Sequence, residues 1–305
     1  LEMLNLDRKD LSFQKRPIDD PFRLEVVNRA LDDPLSVGVE AASWDATARH
    51  GDPTRLLGRA RAALGLRRGG ELPAGKSTVV VDAGGLPATI RIPFLALVDG
   101  LQRAVPALER ARARLGETPE PMLGKALRTQ VEKPSAALPA GDVADDAFLA
   151  AVVKYERSDV IDAAQAATTA TDDLVAALRA LEPGAFAVPT EGLKLWTGAG
   201  AIVITGTGDD VHDEGDDVCC VIDLGGNDTW KRGASAYGKR PVSSCIDLGG
   251  DDRWGNGQDL SSAGALGGIA IQWDAGNGND VYTGGHASCG AAVLGVAVLV
   301  DEGGD

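Results

Sequence analysis

The chain has 305 residues, 44% of them hydrophobic, and a formal net charge of −15. That length allows two ordinary domains with a sizeable core, and no run approaches the roughly 18 apolar residues of a membrane helix, so membrane insertion is not expected. An acidic surface repels nucleic-acid phosphate and anionic lipid and attracts divalent cations, so nucleic acid is not an expected partner and divalent cations are.

In chain order, the first residues, Leu1, Glu2 and Met3, form no basic segment followed by an apolar one. Because the chain does not begin with Met, a removed leader or an expressed fragment is expected. Residues 1–76 mix Pro/Asp loops with short amphipathic stretches. The clearest is Pro53–Leu66, where Asp52 and Pro53 read as N-cap and first helical residue and Gly65 as the stop. Two β-rich runs, Ser77–Ala83 and Leu86–Pro93, flank Gly84-Gly85 and predict a hairpin. Residues 94–115 and 142–182 carry apolar side chains at helical spacing, among them Leu97, Leu101, Val105 and Leu108, then Val152, Val153, Val160 and Ala164. Pro-rich loops fall at Thr118–Pro121 and Pro134–Pro139, and Pro183–Thr190 reads as a linker.

Beyond the linker the physics changes. The first 195 residues carry 28 acidic and 25 basic side chains, and residues 196–305 carry 17 and 5. Four related segments recur there: Ile222–Trp230, Ile246–Trp254, Trp273–Tyr282 and Val300–Asp305. Their first Asp residues, Asp223, Asp247, Asp274 and Asp301, are 24, 27 and 27 positions apart. Degenerate earlier copies lie at Gly206–Val211 and Asp213–Val218. One, three and five residues before each Asp stand apolar residues, such as Ile222, Cys220 and Val218 or Trp273, Ile271 and Ile269, with Ser244 the departure in the second copy. This alternation reads as a half-buried strand ending at each Asp, and its recurrence stacks like on like. Trp230, Trp254 and Tyr282 then form an aromatic column on a second side. The expected fold is α+β multidomain: a mainly helical N-terminal domain with a hairpin near 77–93 (residues 1–190), then a parallel β-solenoid with 24–28-residue coils (195–305).

The carboxylates fall at fixed corners, Asp223, Asp247, Asp274 and Asp301 at one and Asp228, Asp252 and Asp280 at the next. Ca²⁺ takes six to eight oxygens from carboxylates and backbone carbonyls, and glycine turns expose such carbonyls, so these seven residues are the candidate Ca²⁺ ligands. A metal-free alternative is turn capping, with Asp side chains accepting backbone N–H bonds. His212 and His286 are far apart in sequence and register, so a His-based site is not expected.

The segment Ala275–Tyr282 resembles the hemolysin-type Gly/Asp calcium repeats, G-G-x-G-x-D followed after one position by a large apolar residue, differing at Ala275. Copies such as Gly225–Trp230 lack one glycine, and the nine-residue tandem is absent. The longer period with D-L-G-G-D-D and an aromatic is similar to repeats of uncharacterised bacterial secreted or envelope proteins. The resemblance covers only the tail and implies Ca²⁺ binding and an extracellular or cell-envelope location.

Cys219 and Cys245 share a face but sit diagonally about 8 Å apart, beyond disulfide reach, so they and Cys220 are expected as buried free thiols. The loop Lys231–Arg240 holds four of the tail's five basic residues. It either compensates neighbouring Asp or grips an acidic sugar, as in a lyase or hydrolase with a cleft on a β-helix. No phosphate loop, nucleophile elbow or H-E-x-x-H occurs, and His50, Lys154, Tyr155 and Ser158 read as surface or helix residues. The expected function is a non-enzymatic, Ca²⁺-stabilised solenoid for binding or structural display, with carbohydrate or another envelope protein as partner. The polysaccharide-acting enzyme is the alternative. The last copy stops at Asp305, before its Asp/aromatic pair, so further coils or a partner are expected on that edge.

Overall fold

The computed structural model describes residues 52–64, 66, 82–113 and 154–304, with short pieces at 38–39 and 41–42. Two compact units emerge, Leu1–Arg68 and Gly69–Asp305. In the first, helix α1 (Pro53–Ala63) starts where expected: Asp52 Oδ1 accepts the Arg55 amide at 2.8 Å, with Pro53 opening the helix. The expected loops at Thr118–Pro121 and Pro134–Pro139 lie outside the described residues, as does the first half of the hairpin.

In the second unit, helices α2 (Ala88–Ala113) and α3 (Arg157–Arg179) pack against each other. The second hairpin strand expected at Leu86–Pro93 is instead a turn running into α2. A strand would have placed Ile90 and Ile92 on one face, yet Ile90 is 1% exposed and Ile92 80%. Ile90, Phe94, Leu97, Val98 and Leu101 continue the helical stripe backwards, so burial along one helical face overrides the β-branched composition of Thr89, Ile90 and Ile92. The helices pass close together at Gly100, where an added Cβ would stand 3.1 Å from the Ala167 Cα.

The tail is a three-sided parallel β-helix. A hairpin of β1 (Leu193–Thr197) and β2 (Gly200–Ile204) opens it. Strands β4 (Val218–Asp223), β7 (Val242–Asp247), β10 (Ile269–Asp274) and β13 (Val296–Asp301) then join β2 in one parallel ladder. Short strands β3 (Val211–His212), β5 (Thr229–Trp230), β8 (Arg253–Trp254) and β11 (Val281–Tyr282) form the second side. The third side is β6 (Ser235–Ala236), β9 (Gly264–Leu266) and β12 (Ala292–Val293). The register pairs Asp223 with Asp247, Asp247 with Asp274 and Asp274 with Asp301, so each long strand ends at its first Asp.

Side-chain size explains the cross-section. Trp230 and Trp254 point inward and pack with Val221, Cys245 and Ala270 of the long strands. Two indoles leave room only for small residues opposite, and the third side supplies Ala234, Ala236 and Ala265. The alternate residues of the long strands therefore face outward, yet all six positions of β4, β7 and β10 are buried. At β7 and β10 the half-buried strand read from the sequence is thus covered on both faces, because α2 lies against β7 and α3 against β10. Polar ties fix them. Arg112 Nη2 donates to the Gly267 carbonyl at 2.6 Å, Tyr155 Oη donates to Leu294 O at 2.8 Å, and Arg179 reaches Glu302 and the Ala275 carbonyl. Tyr155, expected as a surface or helix residue, is buried and anchors the helical side to the third coil.

The four cysteines are free. Cys245 pairs with Val221 rather than Cys219, which preserves the diagonal offset. Cys219, Cys220 and Cys245 are buried, and burial pushes the Cys219 thiol up to about 11, whereas Cys289 is exposed at a left-handed φ of 54°. Native protein will therefore react rapidly at one thiol with an aromatic disulfide reagent and at four after denaturation. Two or more fast thiols in the native state would contradict the covered strand face.

Candidate metal centre

The corner joining the first and second sides collects the carboxylates. Asp223 and Asp247 are 0% exposed, and Asp228, Asp252 and Asp274 are 1% exposed. Two columns of Asp run up the corner, and each oxygen has a distinct task.

In the first column, Asp223 Oδ1 and Asp247 Oδ1 accept the amides of Gly225 and Gly249, each at 2.7 Å. These bonds hold the turns that send the chain to the next side, with Gly225 and Gly249 at φ of 121° and 139°. The second oxygen faces the aromatic column. Trp230 Nε1 donates to Asp247 Oδ2 at 3.2 Å, and Trp254 Nε1 and Tyr282 Oη donate to Asp274 Oδ2 at 2.8 and 2.9 Å. The rings themselves stack, with centroids 4.4 Å apart for Trp230 and Trp254 and 6.3 Å for Trp254 and Tyr282.

In the second column the Oδ1 atoms bind across coils. The Asp210 amide donates to Asp228 Oδ1 at 2.6 Å, the Asp228 amide to Asp252 Oδ1 at 2.6 Å and the Asp252 amide to Asp280 Oδ1 at 2.7 Å. The other oxygens, Oδ2 of Asp228, Asp252 and Asp280, are buried with no hydrogen-bond partner. Turn capping is therefore real at Asp223 and Asp247, and cross-coil amides occupy one oxygen each of Asp228, Asp252 and Asp280. A buried anionic oxygen with no donor carries an unrelieved desolvation cost.

Among the described residues, three sets of candidate ligand atoms each lie within 4.8 Å of one another: His212, Asp223 and Asp228; Asp228, Asp247 and Asp252; and Asp252, Asp274 and Asp280. Oxygens 2.3–2.6 Å from one Ca²⁺ lie within about 5 Å of each other, so this spacing is compatible with shared coordination. Burial, then the neighbouring carboxylates, raise the acids: Asp228 and Asp274 to about 6, Asp252 to about 7 and Asp247 to about 9. Six of the seven predicted residues thus come together. Asp301 ends β13 exposed, caps Gly303 at 3.2 Å and belongs to none of the three sets.

The first set differs in kind. His212 occupies the position of Trp230 one coil earlier and stacks on it at 3.9 Å. Its Nε2 lies 3.0 Å from Asp223 Oδ2 and its Nδ1 3.0 Å from Glu214 Oε1. Burial opposes its charge, but the hydrogen bonds to Asp223 and Glu214 prevail and push its pKa up to about 10. The imidazolium balances this end of the corner with a fixed cation, and with both nitrogens donating it has no lone pair for a metal. Repeat spacing among the Asp residues does not announce a histidine at the corner. A signal is present nonetheless, because Gly208-Asp-Asp-Val-His212 matches Gly226-Asn-Asp-Thr-Trp230 with histidine in the aromatic place.

Two of the loop's four basic residues face Asp, Lys231 Nζ at 2.8 Å from Asp213 and Arg232 at 3.7 Å from Asp216, while Arg240 Nε donates to the Ser235 carbonyl at 2.8 Å. Scans against protein-family models, curated proteins and solved structures each found no match.

Proposed function

We propose that this chain is a non-enzymatic module of the cell exterior or envelope, a β-solenoid for binding or structural display whose corner is stabilised by two Ca²⁺ ions. The observation that carries this reading is the pair of stacked tricarboxylate sets in which Oδ2 of Asp228, Asp252 and Asp280 is buried with no donor. Asp228, Asp247 and Asp252 would hold one ion and Asp252, Asp274 and Asp280 the other, with Asp252 shared. Five carboxylates against two divalent ions leave a net charge of −1, close to neutral for a buried site. Hard oxygen ligands favour Ca²⁺ over the softer transition metals.

An exterior location accords with the millimolar Ca²⁺ that weak extracellular sites require. Three of the four thiols are buried, so an oxidising medium reaches only Cys289. Carbohydrate or another envelope protein is the partner class in this reading. A further strand, from an additional coil or from the partner, would extend the long ladder at β13, its terminal strand.

Elemental analysis after equilibrium dialysis against millimolar Ca²⁺, with the dialysate subtracted, tests the reading. Two ions per chain are expected, with EDTA lowering the melting temperature and Ca²⁺ restoring it. Asp252→Asn, at the shared ligand, should lower the ion content. A chain that retains no metal and melts identically with and without chelator would overturn the cation sites.

A further inference from the structure

The corner between the second and third sides is built differently from the carboxylate corner. The stretch from Trp254 to Ile269 is three residues longer than that from Trp230 to Val242. The added length forms a ledge in which Leu260, Ser262 and Ala263 adopt left-handed φ values of 61°, 50° and 58°. Non-glycine residues take this conformation at a cost, so surrounding bonds must impose it. The next coil repeats it at Ala287 and Cys289, and backbone bonds join the levels: Leu260 N to His286 O at 2.9 Å and Cys289 N to Ser261 O at 3.1 Å. Below, the Ser262 amide donates to Arg232 O at 2.9 Å.

Between this ledge and the 231–240 loop lies a cavity of about 230 Å³, walled by Arg232, Ser235 and Tyr237 on one coil and Gln258, Asp259 and Ser261 on the next. Its polar groups are held before any ligand arrives. Asp259 Oδ1 accepts the His286 amide at 2.8 Å and lies 3.0 Å from His286 Nδ1. Ser261 Oγ donates to the Gln258 carbonyl at 2.9 Å, and Arg232 Nη1 donates to Tyr237 Oη at 3.0 Å.

We propose that this cavity binds a single residue of a neutral sugar, with Asp259 and Gln258 taking a vicinal pair of hydroxyls. The volume is below the range for drug-sized ligands and suits one ring. The lining supplies both donors and acceptors, which hydroxyls require, together with the amphipathic ring of Tyr237. An anionic sugar is disfavoured, because Asp259 faces the cavity and Arg232 already has Asp216 at 3.7 Å and the Tyr237 hydroxyl as partners. Leu260 is the one aliphatic side chain of the lining, and an apolar ligand would offer no hydrogen bond to Asp259, Gln258 and Arg232. Fixing the carboxylate and the ledge in advance lowers the ordering cost of binding. The proposal does not rest on the cation sites.

Ligand-observed NMR titrations of the full chain with methyl glucoside, methyl mannoside and galacturonic acid test it. At least one neutral glycoside should saturate with a dissociation constant on the order of 1 mM. Gln258→Ala, at an exposed side chain, and Asp259→Asn should each weaken it about tenfold with the melting temperature unchanged. Should Asp259→Asn fail to fold, Gln258→Ala decides alone. No saturation by either neutral glycoside, tighter binding of galacturonate, or full affinity in Gln258→Ala would each overturn the proposal.

Discussion

Gly250→Ala should abolish folding of the coils, while Gly206→Ala leaves them nearly unchanged. A Cβ at Gly250 would stand 1.4 Å from the Gly226 carbonyl oxygen, and its φ of 142° is one that L side chains rarely adopt. The obstruction is backbone of the neighbouring coil, which cannot rotate aside as a flexible side chain would. The same contact recurs along the column, at 2.3 Å for Gly226, 1.7 Å for Gly278 and 1.6 Å for Gly304 against the glycine one coil earlier. Relief requires prising coils apart from their strand spacing of about 4.8 Å, which breaks the ladder on all three sides. The expected loss is more than about 4 kcal/mol, the range of severe steric substitutions. At Gly206 an added Cβ would meet no atom within 4 Å, which makes that position the control. Urea denaturation followed by tryptophan fluorescence distinguishes the two; a Gly250→Ala protein with a wild-type midpoint would refute the close coil contact.

In EDTA, stability should fall as pH rises, opposite to the behaviour of paired carboxylates. Asp228 and Asp274 near 6, Asp252 near 7 and Asp247 near 9 all exceed the ordinary value of 3.8. Between about pH 4 and pH 9 the native corner therefore binds more protons than the unfolded chain, and stability declines with pH across that window. His212 acts in the same direction: its contribution is complete below 6.5 and is lost as pH rises toward about 10. Because a tenfold change in proton affinity is worth about 1.4 kcal/mol, the combined effect should lower the melting temperature by more than about 10 °C between pH 5 and pH 9. Millimolar Ca²⁺ should remove most of this decline, since an ion replaces the protons and binds better as the carboxylates ionise. Calorimetry over pH with and without Ca²⁺ reads both effects. A melting temperature that rises with pH in EDTA would contradict the burial of the column, and superimposable curves would eliminate the ions.

The regular parts of the solenoid were legible in the residues. Ile222, Cys220 and Val218 and their counterparts mark each long strand, and a period of 24–27 residues with Asp at its end leaves one strand per coil. Trp230, Trp254 and Tyr282 were readable as a column because each follows the Asp of its own coil at nearly the same distance, seven residues for the two Trp and eight for Tyr282. Other features were not readable. Ser235–Ala236, Gly264–Leu266 and Ala292–Val293 carry too little pattern to announce a third side, and they are chosen by the room the indoles leave. The exposure of Ile92 beside buried Ile90 depends on which face of α2 meets α3, which local composition does not encode.

The amino-acid sequence by itself determined the repeat, the position of each strand end and the stacking of carboxylates, because these follow from periodicity along a chain that climbs one coil at a time. Tertiary structure alone decided their chemistry. The indole core and the helices together shut the two faces of β7 and β10 from water, and coil stacking gives one oxygen of Asp228, Asp252 and Asp280 an amide donor while leaving the other without one. The placement of His212 at the opening coil supplies a buried cation beside Asp223. Charge, burial and partner are properties of neighbours in space, and those neighbours stand from 11 residues apart in the chain, as His212 and Asp223, to 155, as Arg112 and Gly267.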